Sequence, residues 1–260
     1  MIDTHCHLTF PDFDGRVAEV LAEARAAGVV GAITISTTTG DALRAVTLAR
    51  DHAGLWASAG VHPLYADEPA DWDALRAAGL EPKCVAWGEL GLDRHYADPP
   101  LALQRQVLDE QLSLLARWRR EDPRLDKPVV VHCREAFDDL IPVLRSSGLP
   151  PARFVFHCFT GGPREMRLVL DFGAFVSFTG VVTFRNATLV RDAARLAPPA
   201  RVFTETDAPF LTPEPHRTRR PNEPRYVVHV AEALAAIWGL DLEFVRAQTA
   251  EGARRFFGLV

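Results

Sequence analysis

Two histidines one residue apart, His5 and His7, begin the chain, and His132, His157, Glu89 and Asp207 follow at the ends of separate apolar runs. Imidazole nitrogens and carboxylate oxygens without a thiolate suit divalent cations such as Mg²⁺, Mn²⁺ or Zn²⁺. On an extended strand, residues two apart point the same way, so His5 and His7 share a face. Burying both is costly unless each ring nitrogen finds a partner. His132 follows Val129-Val130-Val131 and His157 follows Phe154-Val155-Phe156, at matching positions of consecutive strands. Glu89 ends the run Cys84 to Gly88, as a strand-end cap or as a ligand able to bridge two cations. Asp207 closes the run from Val202 and could ligate a metal or orient or deprotonate a water. These six groups exceed the three protein ligands and water of a typical catalytic zinc. They suit a pair of ions about 3.5–4 Å apart, clamping both oxygens of a displacement.

Other side chains near these positions are candidates for substrate. His62 would bind phosphate, line the site or cap the chain at the mouth of strand three. Arg134, two residues after His132, would hold a phosphate through its fork or pair with an acid on the next helix. Tyr96, with His95, would stack on a base or sit in a solvated loop. Glu205 shares the inward face with Asp207 and is expected at the substrate site or behind a ligand. His52, His216 and His229 receive no role. The cysteines Cys6, Cys133 and Cys158 sit beside histidines and so should face away from them, as small packing residues, while Cys84 begins a buried run. No CxxC pair occurs.

Strands must present these groups together. Apolar runs near 2–6, 29–35, 55–60, 84–89, 128–132, 153–157, 174–178 and 202–206 alternate with helical patterns. The helices are expected near 15–27, 40–52, 71–79, 101–121, 135–147, 163–172, 187–197 and 226–238, with a last one near 241–257. Continuous apolar strands are those of parallel sheets covered on both faces. Leu101, Leu108, Leu112 and Leu115 fall on one face of the longest helix, and Gly28, Gly148 and Gly173 follow helices as stop residues. Eight strand–helix pairs predict an α/β fold, a (β/α)₈ TIM barrel, with a doubly wound sheet as the alternative. At 260 residues the chain suits one barrel domain over 1–260, since such barrels take about 250. The proline- and arginine-rich stretch 209–225 reads as a long loop on the catalytic face.

A net charge of −5 gives no global attraction to nucleic acid or anionic membrane. No stretch approaches the roughly 20 apolar residues of a membrane span, and the first residues lack signal-peptide features. A cytoplasmic, monomeric or weakly associating protein with no obligate protein partner is expected.

Several segments together resemble the TatD family of metal-dependent deoxyribonucleases, within the amidohydrolase-like superfamily. They are Ile2-Asp3-Thr4-His5-Cys6-His7-Leu8, Gly60-Val61-His62-Pro63, Gly88-Glu89-Leu90-Gly91-Leu92-Asp93 and Pro128 through Ala136. Phe156-His157-Cys158-Phe159-Thr160-Gly161, Glu205-Thr206-Asp207-Ala208-Pro209 and Asn222-Glu223-Pro224 complete the set, in family order. The resemblance implies one metal on His5, His7, Glu89 and Asp207, and a second on Glu89, His132 and His157. Glu89 would then stand where many barrel amidohydrolases use a modified lysine. Two departures are visible: the stretch 117–127 is longer than the family's usual connection, and Pro221 replaces a basic residue common in relatives. The former leads into a strand start, hence away from the site.

The expected activity is hydrolysis of DNA, single-stranded and from one end, by a water activated between two divalent ions, with Asp207 and Glu89 catalytic. A metal-dependent amidase, lactonase or deacylase on the same barrel is the alternative. A non-catalytic nucleic-acid- or metal-binding protein would have no need of all six ligands.

Overall fold

The computed structural model describes residues 1–259. Eight parallel strands lie in sequence order: β1 (Ile2–Cys6), β2 (Gly31–Thr34), β3 (Leu55–Ala59), β4 (Cys84–Asp93), β5 (Val129–Arg134), β6 (Phe154–Phe156), β7 (Phe175–Phe178) and β8 (Val202–Thr204). The ring closes where the Asp207 N–H donates to the His5 carbonyl at 2.8 Å and the His7 N–H donates to that of Ala208 at 2.7 Å. The helices are α1 (Val17–Ala26), α2 (Thr39–Asp51), α3 (Trp72–Leu80), α4 (Leu101–Glu121), α5 (Phe137–Ser146), α6 (Pro163–Phe172), α7 (Thr188–Leu196), α8 (Val227–Trp238) and α9 (Leu242–Phe257). The expected barrel is present.

Strand alternation divides the core into two layers. Val129, Val131, Phe154 and Phe156 face outward and join Leu108, Leu112 and Leu115 of α4. Ile2, Ile33, Val85, Val130, Val155 and Phe203 fill the barrel, and Phe257 and Leu259 plug its lower end. The stretch 117–127 also lies at that lower end, where Arg124 and Lys127 border the same hollow as Phe256 and Phe257. It is therefore remote from the histidines.

Most strand bounds shift by a residue or two, and three of the differences bear on the site. β4 runs on to Asp93, whereas β6 and β8 stop before His157 and Glu205. Just beyond those short strands, Cys158 (φ 44°) and Asp207 (φ 55°) turn the chain into left-handed backbone. β4 also carries one extra residue against β5 between Trp87 and Leu90. Such a bulge re-aims side chains. Gly88 and Gly91 make it possible, since a Cβ there would lie 2.5 Å from the Val130 carbonyl oxygen and 1.8 Å from that of His132. No described helix is long and apolar enough to cross a membrane.

Candidate metal centre

The upper ends of five strands bring His5, His7, Glu89, His132, His157 and Asp207 together. Glu89 lies at the centre, with each carboxylate oxygen facing a different set of groups. Its Oε1 is 3.7 Å from His5 Nε2 and 3.6 Å from His7 Nε2. The same two nitrogens lie 3.5 and 3.3 Å from Asp207 Oδ1. Its Oε2 is 2.7 Å from His157 Nε2 and 3.3 Å from His132 Nδ1. The rings of His5 and His157 stack at 4.0 Å between centroids and join the two halves.

The inner nitrogens are held in place from behind. His7 Nδ1–H donates to the Ile35 carbonyl at 3.0 Å, and His132 Nε2–H donates to Asp93 Oδ2 at 3.0 Å. His157 Nδ1 faces Glu205 Oε1 at 3.6 Å. With the outer nitrogen carrying the proton, the inner one offers a lone pair to the centre, as in metal-ligating histidines. Neither His5 Nδ1 nor His157 Nδ1 makes a hydrogen bond, although Glu205 stands behind the latter. Sets of these donor atoms gather within 4.8 Å: His5, His7 and Asp207; His5, Glu89 and His157; and His62, Glu89 and His132. Nitrogen and carboxylate donors converging so closely fit divalent cations.

Electrostatics point the same way. Burial opposes charge on Glu89, but His157, His62 and His5 outweigh it and hold the carboxyl well below its ordinary range. Asp207 is likewise lowered, its burial offset by the hydrogen bond to His7 and the charges of His5 and His7. Burial disfavours charge on His157, His7 and His132, yet carboxylates overcome it: Glu89 first at His157, Asp207 at His7, and Asp93 at His132. All three histidines are raised. Burial lowers His5, and lowers His62 to about 3. The centre is thus a carboxylate nest holding protons where cations would sit.

The remaining expected residues fall in separate places. His62 does two things: its Nδ1 accepts from the Leu64 N–H at 3.0 Å, and its Nε2 lies 3.1 Å from His132 Nδ1. Arg134 and Tyr96 stand at the mouth, the guanidinium 5.2 Å from the ring centre. His95 pairs with Glu135 beside them, at 3.1 Å. Glu205 is fully enclosed and accepts from the Cys158 N–H and the Ser177 hydroxyl, both at 2.6 Å. It braces His157 and does not line the cavity, so the expectation that it touches substrate gives way to the one behind a ligand.

One correction and two additions follow. Cys6 and Cys84 are buried among the outer core residues, as expected. Cys158 is not simple packing: its left-handed backbone turns it to the cavity, where its Sγ is 3.5 Å from Thr179 Oγ1. Cys133 is buried in the same outer core, as expected, with an edge on the cavity. Asp93 was legible as the last residue of a strand motif, four after Glu89 on the same face, but received no role. Asn222 pins the turn after β8, donating to the carbonyls of Thr206 at 2.9 Å and Phe210 at 2.6 Å.

Above the centre lies a cavity of ≈ 630 Å³, walled by Phe10, Tyr65, Tyr96, Val181 and Phe210 around the polar floor. Its size is that of a small-molecule or cofactor site.

Comparisons place this geometry among known proteins. The family model described as TatD related DNase matches residues 2–258. The metal-dependent hydrolase YcfH of Escherichia coli K12 is 36% identical over 260 residues, covering 99% of this chain and 95% of its own. The 3'-5' ssDNA/RNA exonuclease TatD of Erwinia tasmaniensis is 37% identical over 272 residues, covering 100% of both chains. Among solved structures, the TatD homologue YjjV of Escherichia coli superposes with a TM-score of 0.91 at 30% identity, covering 100% of this chain and 98% of that one. Matched along its length by family, relatives and structure, the chain belongs to the TatD-related DNase family and is a metal-dependent hydrolase of the TatD type.

Proposed function

We propose that this protein hydrolyses phosphodiester bonds of single-stranded DNA from one end. Two divalent ions would be held, one by His5, His7, Glu89 and Asp207 and the other by Glu89, His132 and His157. The observation that carries this reading is the division of Glu89, with Oε1 toward His5 and His7 and Oε2 toward His132 and His157. His62 lies close enough to the second set to join it, 3.9 Å from Glu89 Oε2. When bound, such ions supply Lewis acidity to a phosphate and a water nucleophile near neutral pH.

The chain's own groups supply orientation and proton transfer. Asp207 is held ionised and its side chain is 14% exposed at the cavity floor, so it can accept the proton of the attacking water. His62, neutral above its lowered pKa of about 3, meets substrate or metal as a neutral ring. Arg134 and Tyr96 form a mouth that offers a fork to a phosphate and a face to a base. A cavity of ≈ 630 Å³ suits an unstacked strand end better than a duplex. Similarity to the Erwinia protein, named an exonuclease, supports the same substrate class.

An end-labelled single-stranded oligonucleotide, incubated separately with Mg²⁺, Mn²⁺ and Zn²⁺, tests the reading. A metal-dependent ladder growing from one end is expected. No cleavage with any of the three ions overturns it, and turnover of an amide or ester panel in its place would identify the amidase or lactonase alternative.

A further inference from the structure

Five arginines gather beside the cavity on the β7–β8 side. Among the described residues, Arg185, Arg191, Arg217, Arg219 and Arg220 make no ion pair. The segment 209–220 holds a single carboxylate, Glu214. Such a concentration of free positive charge contrasts with the chain's net charge of −5.

The cluster is built on residues next to the cavity wall. The Arg217 guanidinium lies 3.9 Å from the ring centre of Phe184, which follows the turn Gly180–Thr183. Val181 of that turn lines the cavity. Arg191 donates to the carbonyls of Phe184 and Arg185. Arg220 donates to the Thr212 hydroxyl at 2.9 Å and to the Arg217 carbonyl at 3.1 Å, fixing the loop one residue from cavity-lining Leu211. Phe210, 48% exposed, stands on the same wall, three residues after Asp207. The positive surface therefore continues from the mouth of the centre.

We propose that this arginine rim binds the phosphate backbone of the strand beyond the nucleotides inside the cavity. The inference rests on the phosphodiesterase reading and adds the strand's path: over Phe210 and across the β7–β8 rim. The cavity cannot contain a long strand, so the rest must cross its edge, and guanidinium forks fit successive phosphates. Affinity should then grow with strand length and weaken with salt.

The test compares the wild-type chain with the double variant Arg185→Gln/Arg219→Gln; neither side chain makes a hydrogen bond or ion pair in the described structure. Fluorescence anisotropy on metal-free protein would follow a labelled oligodeoxynucleotide of about 20 residues and a labelled dinucleotide across a salt series. The ratio of long-strand to dinucleotide affinity is expected to fall about tenfold, and the salt slope for the long strand to shrink by about 1.4, or about 0.7 for each lost contact. An unchanged ratio and slope would overturn the proposal. The two readings fail separately: patch-dependent binding without cleavage by the wild-type enzyme keeps the rim and rejects the phosphodiesterase. Cleavage with an unchanged affinity ratio does the reverse.

Discussion

The Nε2–H of His132 donates to Asp93 Oδ2 at 3.0 Å, which turns His132 Nδ1 toward Glu89 Oε2 at 3.3 Å. Asp93 stays below its ordinary pKa because bonds from His132 and the N–H groups of Tyr96 and His95 outweigh its burial. A carboxylate in this position fixes the tautomer and raises the basicity of the ring it faces. Replacing Asp93 with Asn should weaken binding of the more loosely held ion about 10–100-fold, read by competition with a chromophoric chelator. Wild-type affinity in the folded variant would show that Asp93 does not orient His132.

Metal binding should depend steeply on pH. In the metal-free centre neighbouring carboxylates raise the pKa values of His157, His7 and His132, so each keeps its proton above the ordinary histidine value of 6.5. A cation must displace those protons, so affinity should fall as pH is lowered through the raised values, and protons should be released on binding. Calorimetry of metal binding near neutral pH, in buffers of different ionisation enthalpy, measures that release. Heats independent of buffer would mean that the rings were already free.

The approach of β4 to β5 is tight enough to predict a large effect from one methyl group. A Cβ on Gly91 would lie 1.8 Å from the His132 carbonyl oxygen, on backbone at φ +155°. Gly28, at φ +84° with nothing within 4 Å, provides the contrast. Gly91→Ala should lose more than about 4 kcal/mol in urea unfolding, against about 1 kcal/mol for Gly28→Ala. Similar losses at both sites would mean that β4 can shift without cost.

Arg134 and Tyr96 should act as a pair. Tyr96→Ala is expected to raise KM for a single-stranded oligonucleotide about tenfold, by loss of one stacking surface. Arg134→Ala should do the same. Because the guanidinium lies 5.2 Å from the ring, their combined effect should fall short of the sum. Strict additivity would place them at separate subsites.

Much of this architecture was readable because strand alternation is a local property. Val129-Val130-Val131-His132 and Phe154-Val155-Phe156-His157 each place the histidine inward by parity, and the strand bounds followed within a few residues. What stayed hidden depends on register and turns. The extra residue of β4 brings Glu89 into the centre, and parity alone does not show it. Alternation predicts Cys158 as packing only while the strand continues, and beyond the end of β6 the backbone turns left-handed. The bond from His132 to Asp93 and the meeting of Arg185 and Arg191 with the arginine-rich loop depend on contacts between segments distant in sequence, and no spacing rule reports those.

The account rests on one carboxylate serving two cations, and counting bound metal tests it most directly. After reconstitution with Zn²⁺ and removal of free ion, inductively coupled plasma mass spectrometry should find about two ions per wild-type chain and no more than about one in folded Glu89→Gln. One ion in the wild-type chain, or two retained by Glu89→Gln, would contradict it.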